Sequence, residues 1–265
     1  MKIIYSLLSC LMILNSWAQG SSASKQVSNF SLEAPQLHTT KKIWLYLPKG
    51  YNTSTRKYPV IYMHDGQNLF DTKTSFAGEW NVDETLDSIN AKVIVVGIET
   101  NDKRMEELTP FKNQKYGSGK ADDYLDFIVN TLKPKIDATY RTKTSARNTA
   151  VFGSSLGGLV SFYAAIKYPE VFGKVGCFSP AFWFGRKELN DLMTETKDFD
   201  AKVYFLCGDS EGDADVITDM EIVEHWVNTK RCECKKLNKK VIVSGGQHNE
   251  KLWRDSFKKA YLWLF

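Results

Sequence analysis

The stretch AVFGSSLGGLVSFYAAIKYP, residues 150–169, decides how the rest of the chain is read. It runs an apolar, strand-like start into two serines and a pair of glycines, then continues with the apolar spacing of a helix. Only Ser155 has glycine at both minus two and plus two, in Gly153-Ser154-Ser155-Leu156-Gly157; Ser154 is flanked at those offsets by Phe152 and Leu156. A serine on a sharp strand-to-helix turn needs such neighbours, because the turn brings the backbone on either side of it into close approach. The turn also sets the residue at a helix start, where unpaired N–H groups and the helix dipole favour developing negative charge. A small-residue packing turn would use the same letters. The strand TAVFGS before the turn and the helix Leu156–Tyr168 after it select the nucleophile reading.

A serine hydroxyl is a poor nucleophile without a base. The chain has four histidines: His38, His64, His225 and His248. In a strand–turn–helix architecture the order along the chain is serine, acid, histidine, which leaves His225 and His248. His225 lies within EIVEHWVNTK, an amphipathic helix. His248 follows the strand KKVIVSGG in a glycine-rich turn, at the sheet edge where nucleophile and base would meet, and is the expected base. The acid should follow the strand KVYFLCG, where Asp209, Glu211, Asp213 and Asp215 all stand; spacing does not choose among them. Two oxyanion donors are expected: the Leu156 backbone N–H, and the Gln67 N–H in the turn Asp65-Gly66-Gln67 that closes the strand YPVIYMH. His64 in that turn reads as a structural hydrogen-bonding residue.

Around these residues, buried-strand runs alternate with helical spacing. KKIWLYLPKGY, YPVIYMHDG, KVIVVGIE and KVGCFSP read as strands; 81–90, 121–138, 214–229 and 250–264 read as helices, the second in spite of Pro134. This alternation predicts an α/β fold with a mostly parallel central sheet and helices on both faces. The polar stretch 100–118, with Arg104, Glu106, Glu107 and Pro110, is long enough to suggest a functional loop. The excursion AFWFGRKELNDLMTETKDF has no settled shape, and SSASKQVSN, residues 21–29, reads as a disordered lead-in. With no repeat, linker or composition break, residues 19–265 are expected to form one domain.

The first residues, MKIIYSLLSCLMILNSWAQG, read as a signal peptide over 1–18: Lys2, the apolar run Ile3–Leu14, and a small-x-small site at Ser16-Trp17-Ala18. Lipidation at Cys10 is the rival reading, and it would strand Leu11–Leu14 in the mature protein. The expected location is periplasmic or secreted. No other segment is apolar for long enough to span a membrane. A formal net charge of +4 over 265 residues, with the lysines dispersed, lacks the basic stripe of a nucleic-acid binder. Cys177 and Cys207 end strands and read as buried thiols, and Cys232-Glu233-Cys234 supplies too few ligands for a structural zinc. No metal or organic cofactor is expected, and pairing of the cysteines and oligomeric state stay open.

Together HDGQNLFD (64–71), R-x-E-E-L-T-P (104–110), YRT (140–142), GSSLGGL (153–159), SPAFW (179–183) and GGQHNEKLW (245–253) resemble the bacterial esterase D family. That resemblance covers nearly all of the chain after residue 18 and implies the α/β-hydrolase fold. Relatives in that superfamily include feruloyl and acetyl xylan esterases, enterobactin-type siderophore esterases and mycolyltransferases. The family commonly has its acid three residues after the glycine that closes the strand. In Gly208-Asp209-Ser210-Glu211 this implies Glu211, with Asp213 as second choice. It also implies Gln67 as an oxyanion donor, and Trp80 and Trp183 as aromatics near the cleft.

The resulting expectation is an exported serine esterase with Ser155, His248 and Glu211 as its triad, acting on a small-molecule or saccharide ester, with carbohydrate-linked acyl groups foremost. A siderophore trilactone esterase and an acyltransferase use the same triad. A noncatalytic carbohydrate- or siderophore-binding module on the same scaffold would not need all three residues intact.

Overall fold

The computed structural model describes residues 20–113, 117, 119–212, 215–230 and 238–265. The leader 1–18 with Cys10, Asp213, and the pair Cys232 and Cys234 lie outside the described residues. Eight strands form one sheet: β1 (Val27–Ala34), β2 (Thr39–Tyr46), β3 (Val60–His64), β4 (Ile94–Ile98), β5 (Thr149–Ser154), β6 (Lys174–Phe178), β7 (Lys202–Gly208) and β8 (Asn238–Val243). Their spatial order is β1-β2-β4-β3-β5-β6-β7-β8. β1 and β2 pair antiparallel, β2 runs antiparallel to β4, and every pairing from β4 to β8 is parallel.

The near-continuous apolar runs of β3, β4 and β5 follow from burial on both faces, as parallel sheets require. Period-two alternation divides each strand between two cores. Val60 and Tyr62 of β3 enter the larger one, and Ile61 and Met63 enter the smaller. The smaller core is closed by helix α1 (Val82–Ser88) and by the C-terminal helix, Glu250–Leu264. On the other face lie α2 (Arg104–Glu107), then α3 (Ala121–Asp126) running through a π-helical segment, Phe127–Leu132, into α4 (Lys133–Thr139). They are followed by α5 (Leu156–Lys167), α6 (Arg186–Glu195) and α7 (Asp215–Thr229), which makes the C-terminal helix α8. Phe162 of α5 anchors the larger core, its ring 5.5–6.2 Å from those of Phe182, Phe199, Phe205 and Trp226.

The architecture is the α/β-hydrolase arrangement expected from the alternation of elements, and two local details differ. Residues 21–29 are ordered: Gly20–Ser24 lies against an acidic loop, and β1 begins at Val27. An edge strand with one buried face carries only alternate apolar residues, here Phe30, Leu32 and Ala34, and so resembles a polar tail. The excursion after residue 181 is a 3₁₀ turn, Phe182–Gly185, leading into α6. Cys177 and Cys207 are buried free thiols. Among the described residues no helix is long and apolar enough to cross a membrane.

Candidate active site

β5 ends at Ser154 and α5 begins at Leu156, so Ser155 alone makes the turn between them. Its backbone has φ 56° and ψ −121°, a conformation that costs a residue with a Cβ about 1–3 kcal/mol and persists only where its surroundings impose it. Here the Ser155 N–H donates to Phe178 O at 2.9 Å, and its carbonyl accepts from Ala181 N at 3.0 Å and from Gly158 N at 3.0 Å. The two motif glycines are unequal. A Cβ on Gly153 would sit 2.6 Å from the Gly157 carbonyl carbon, an impossible approach, whereas a Cβ on Gly157 would meet nothing nearer than His64 Cβ at 3.5 Å.

Glu211 and His248 come together although 37 residues separate them. His248 Nδ1 lies 3.0 Å from Glu211 Oε2. The other Glu211 oxygen accepts the Gly208 N–H at 2.7 Å and the Ser179 hydroxyl at 2.5 Å. The Ser179 Oγ in turn accepts from Trp253 Nε1 at 2.9 Å, and the Trp253 ring meets the His248 ring edge-on at 5.2 Å. The Glu211 side chain is 1% exposed and that of His248 34%. Burial pushes the Glu211 carboxyl upward, but the hydrogen bonds from His248, Gly208 and Ser179 outweigh it and hold the group below the ordinary carboxylate value.

The remaining acids after β7 are occupied elsewhere or lie outside the described residues. Asp209 accepts the Gly245 N–H at 2.7 Å, and Asp215 pairs with Arg186 Nη2 at 2.6 Å. Ser155 and His248 line one cavity of about 900 Å³. Within it, no hydrogen bond joins the Ser155 hydroxyl to the imidazole, and such contacts often tighten only when substrate binds.

The turn after β3 forms the facing wall. Asp65 adopts φ 55°, and Gly66 packs so tightly on β4 that a Cβ would lie 2.7 Å from the Gly97 carbonyl carbon. Arg104 clamps the Asp65 carboxylate with Nε at 2.7 Å and Nη2 at 2.8 Å, and the Thr100 hydroxyl donates to it at 2.5 Å. Burial raises the Asp65 carboxyl, yet Arg104 and Thr100 hold it below its usual value. The Gln67 side chain is pinned by Thr100, whose N–H it accepts at 3.1 Å. Gln67 stands in the 3₁₀ turn Gly66–Asn68 and Leu156 opens α5; the first N–H groups of a helical turn have no intrahelical partner. The loop from residue 100 is further fixed to the sheet by the buried Lys41–Glu107 ion pair.

His64 is buried, with Nδ1 2.8 Å from the Tyr124 hydroxyl; burial lowers its pKa to about 4, so the ring is neutral. The aromatics of the cavity are not those anticipated. Trp80 is 3% exposed, packed on Phe178 and Trp253 beneath the cavity wall. Trp183 is 37% exposed, packs on Phe184 and does not line this cavity. Their places are taken by Trp253 and by Phe76, which is 93% exposed at the rim. Sequence reasoning missed Trp253 and Ser179 as supports, although both stand inside the quoted motifs GGQHNEKLW and SPAFW.

The family profile described as "Putative esterase" matches residues 34–264. The endo-1,4-beta-xylanase/feruloyl esterase of Xylanibacter ruminicola is 26% identical over 214 residues, covering 76% of this chain and 26% of that one. The siderophore triacetylfusarinine C esterase of Aspergillus fumigatus is 33% identical over 134 residues, covering 48% of this chain and 45% of that one. The crystal structure of the enterobactin esterase FES from Shigella flexneri superposes with a TM-score of 0.71 at 17% identity, covering 92% of this chain and 61% of that one. This chain therefore spans less than half the length of these two sequence relatives, and the structural likeness is one of fold.

Proposed function

The chain belongs to the esterase family and is a carboxylic ester hydrolase, and from that premise we propose that Ser155, His248 and Glu211 are its catalytic triad. The observation that carries the reading is the Glu211–His248 hydrogen bond at the rim of the cavity that the strained Ser155 enters. Glu211 accepts the Nδ1–H and so fixes the tautomer, leaving the Nε2 lone pair free to take the Ser155 hydroxyl proton. Ser155 Oγ attacks the ester carbonyl, and the Gln67 and Leu156 N–H groups receive the oxyanion. His248 then gives its proton to the departing alcohol, and water attacks the acyl-enzyme by the same route. Ser155→Ala should lower hydrolysis of p-nitrophenyl acetate by at least about a thousandfold and abolish fluorophosphonate labelling. Activity like that of the wild type in this variant would overturn the assignment.

For the substrate, we favour a neutral ester with an aromatic part, carried on a saccharide as in feruloyl esters. Phe76 and Trp253 offer ring contacts, while the cavity wall carries Asp65, Asp102 and Glu250 against one guanidinium, Arg104. Such a wall disfavours a multiply anionic ferric complex. The kinship with siderophore esterases supports a second reading, in which the iron-free trilactone is the substrate. Feruloyl sugars, acetylated xylan, and enterobactin with and without iron, assayed side by side, separate the two; preference for the ferric complex would refute both. Export through the leader 1–18 is part of the proposal, tested by the mature N-terminus found in mass spectrometry.

A further inference from the structure

On the smaller-core side of the sheet, behind the cavity wall, Glu79, Asp83 and Glu84 each bring a carboxylate oxygen to within 4.8 Å of the others. Glu79 and Asp83 are 4% and 0% exposed. Burying charge at this density is costly unless a counter-charge is present. Among the described residues no Lys, Arg or His nitrogen forms an ion pair with any of the three. Arg254 reaches the Glu79 backbone carbonyl at 2.9 Å, and its Nε approaches Asp255 instead. Lys49 is engaged by Asp87.

Hydrogen bonds from the protein satisfy only part of the cluster. Glu79 Oε2 accepts the Ser22 hydroxyl at 2.9 Å and the Thr72 hydroxyl at 2.6 Å, and Asp83 Oδ2 accepts the Ser24 N–H at 2.7 Å. Glu79 Oε1, Asp83 Oδ1, Glu84 Oε2 and the Ser24 hydroxyl are buried and have no hydrogen-bond partner among the described residues. A proton shared between Glu84 and Asp83 would still leave Glu79 Oε1 without a partner. A cation that binds several oxygens at once would satisfy these unpaired oxygens together.

We propose that Glu79, Asp83 and Glu84 bind one divalent, oxygen-seeking cation of the Ca²⁺ class. Opposed oxygen ligands of Ca²⁺ stand about 4.6–5.2 Å apart, twice the metal–oxygen distance, and the carboxylate spacing accommodates this. The donor set contains neither histidine nor cysteine, which sets it apart from zinc and copper sites. The site is separate from the Ser155 chemistry, yet it bears on the same cavity. Ser21 and Ser22 bond Asp71, Ser22 and Thr72 bond Glu79, and the intervening segment supplies Thr74, Ser75, Phe76 and Ala77 to the cavity wall. A bound cation holds the N-terminal segment, that wall and the start of α1 as one unit.

The test uses purified protein stripped with EDTA. Calorimetric titration should give one Ca²⁺ per chain, and Tb³⁺ bound in its place should luminesce on excitation of tryptophan, because Trp80 adjoins Glu79. At a hundredfold excess over Kd, Ca²⁺ should raise Tm by about 5–10 °C. Glu79→Gln and Asp83→Asn should each lose that shift and the Tb³⁺ signal. The proposal is overturned if Ca²⁺, Mg²⁺ and Mn²⁺ all fail to bind the wild-type protein at about 5 mM, above the range of weak extracellular calcium sites. It is equally overturned if binding survives both substitutions. Should a variant fail to fold, the wild-type titration alone still decides. Because none of these readouts involves ester hydrolysis, failure here leaves the triad standing, and failure of the triad leaves this site standing.

Discussion

At Ser155 the role proposed for the side chain and the stability of its turn oppose each other. The backbone at φ 56°, ψ −121° is one that glycine adopts without penalty, yet the position holds a residue with a Cβ. Glycine gives back up to about 1 kcal/mol through its freer unfolded chain, against strain of about 1–3 kcal/mol in serine. Ser155→Gly should therefore be more stable than Ser155→Ala by about 1 kcal/mol, both being equally inactive. Urea denaturation of the three proteins checks this, with Ser155→Ala close to wild type. Equal midpoints for the glycine and alanine variants would mean that the turn stores no strain. At this scale the sequence was readable only in part. The Gly153 clash is implicit in the motif spacing, since the turn itself forces it, but the slack at Gly157 depends on where His64 lies and cannot be read from the chain.

Among the elements, α8 does more than cover the sheet. Its N-cap, Asn249, accepts the Leu252 N–H at 3.1 Å, which starts the helix directly after His248 and brings Trp253 round to meet the imidazole. Asn249→Ala should cost about 1 kcal/mol of stability. If the cap also positions His248, kcat should fall by up to about tenfold with KM little changed, and Asn249→Ser should restore it. A stability loss with kcat untouched would confine Asn249 to capping. The bounds of α8 were legible because its apolar spacing is regular and a capping residue precedes it, whereas β1 was not, because an edge strand shows the solvent half its residues. The same contrast holds within the site. Chain order narrows the base to two histidines, but four acids follow β7 and only the folded loop turns Glu211 toward His248. Ser179 reaches Glu211 across 32 residues and Trp253 reaches Ser179 across 74, separations at which no local pattern exists.

Over the whole molecule, the neutral His64 links acid stability to the architecture of the site. It ends β3 beneath the Ser155 turn, hydrogen-bonded to Tyr124 and flanked by Asp65 and its Arg104 partner. Burial dominates: the group falls from 6.5 to about 4, with Arg104 adding to the effect and Asp65 opposing it. Between these two values the unfolded chain binds a proton that the folded chain refuses, so stability rises with pH across that window. Above about 6.5 neither state is protonated and the group contributes no pH dependence. As pH falls from 6.5 to 4 the folded state should lose about 3 kcal/mol on this account, a large fraction of a typical domain's stability. Glu211 and Asp65, held below their usual values, contribute only at more acid pH. Glu84, pushed up to about 8, and Glu107, also pushed up by burial, act in the opposite sense across the same window. The histidine is therefore isolated by comparing the wild type with a variant that lacks the ring. His64→Gln, which keeps a hydrogen-bonding group for Tyr124 but no titrating ring, should gain stability relative to the wild type as pH falls from 7 to 4.5, read as diverging urea midpoints. Parallel curves for the two proteins would show that the proton is taken up elsewhere, and that the histidine ending β3 is not what limits the fold in acid.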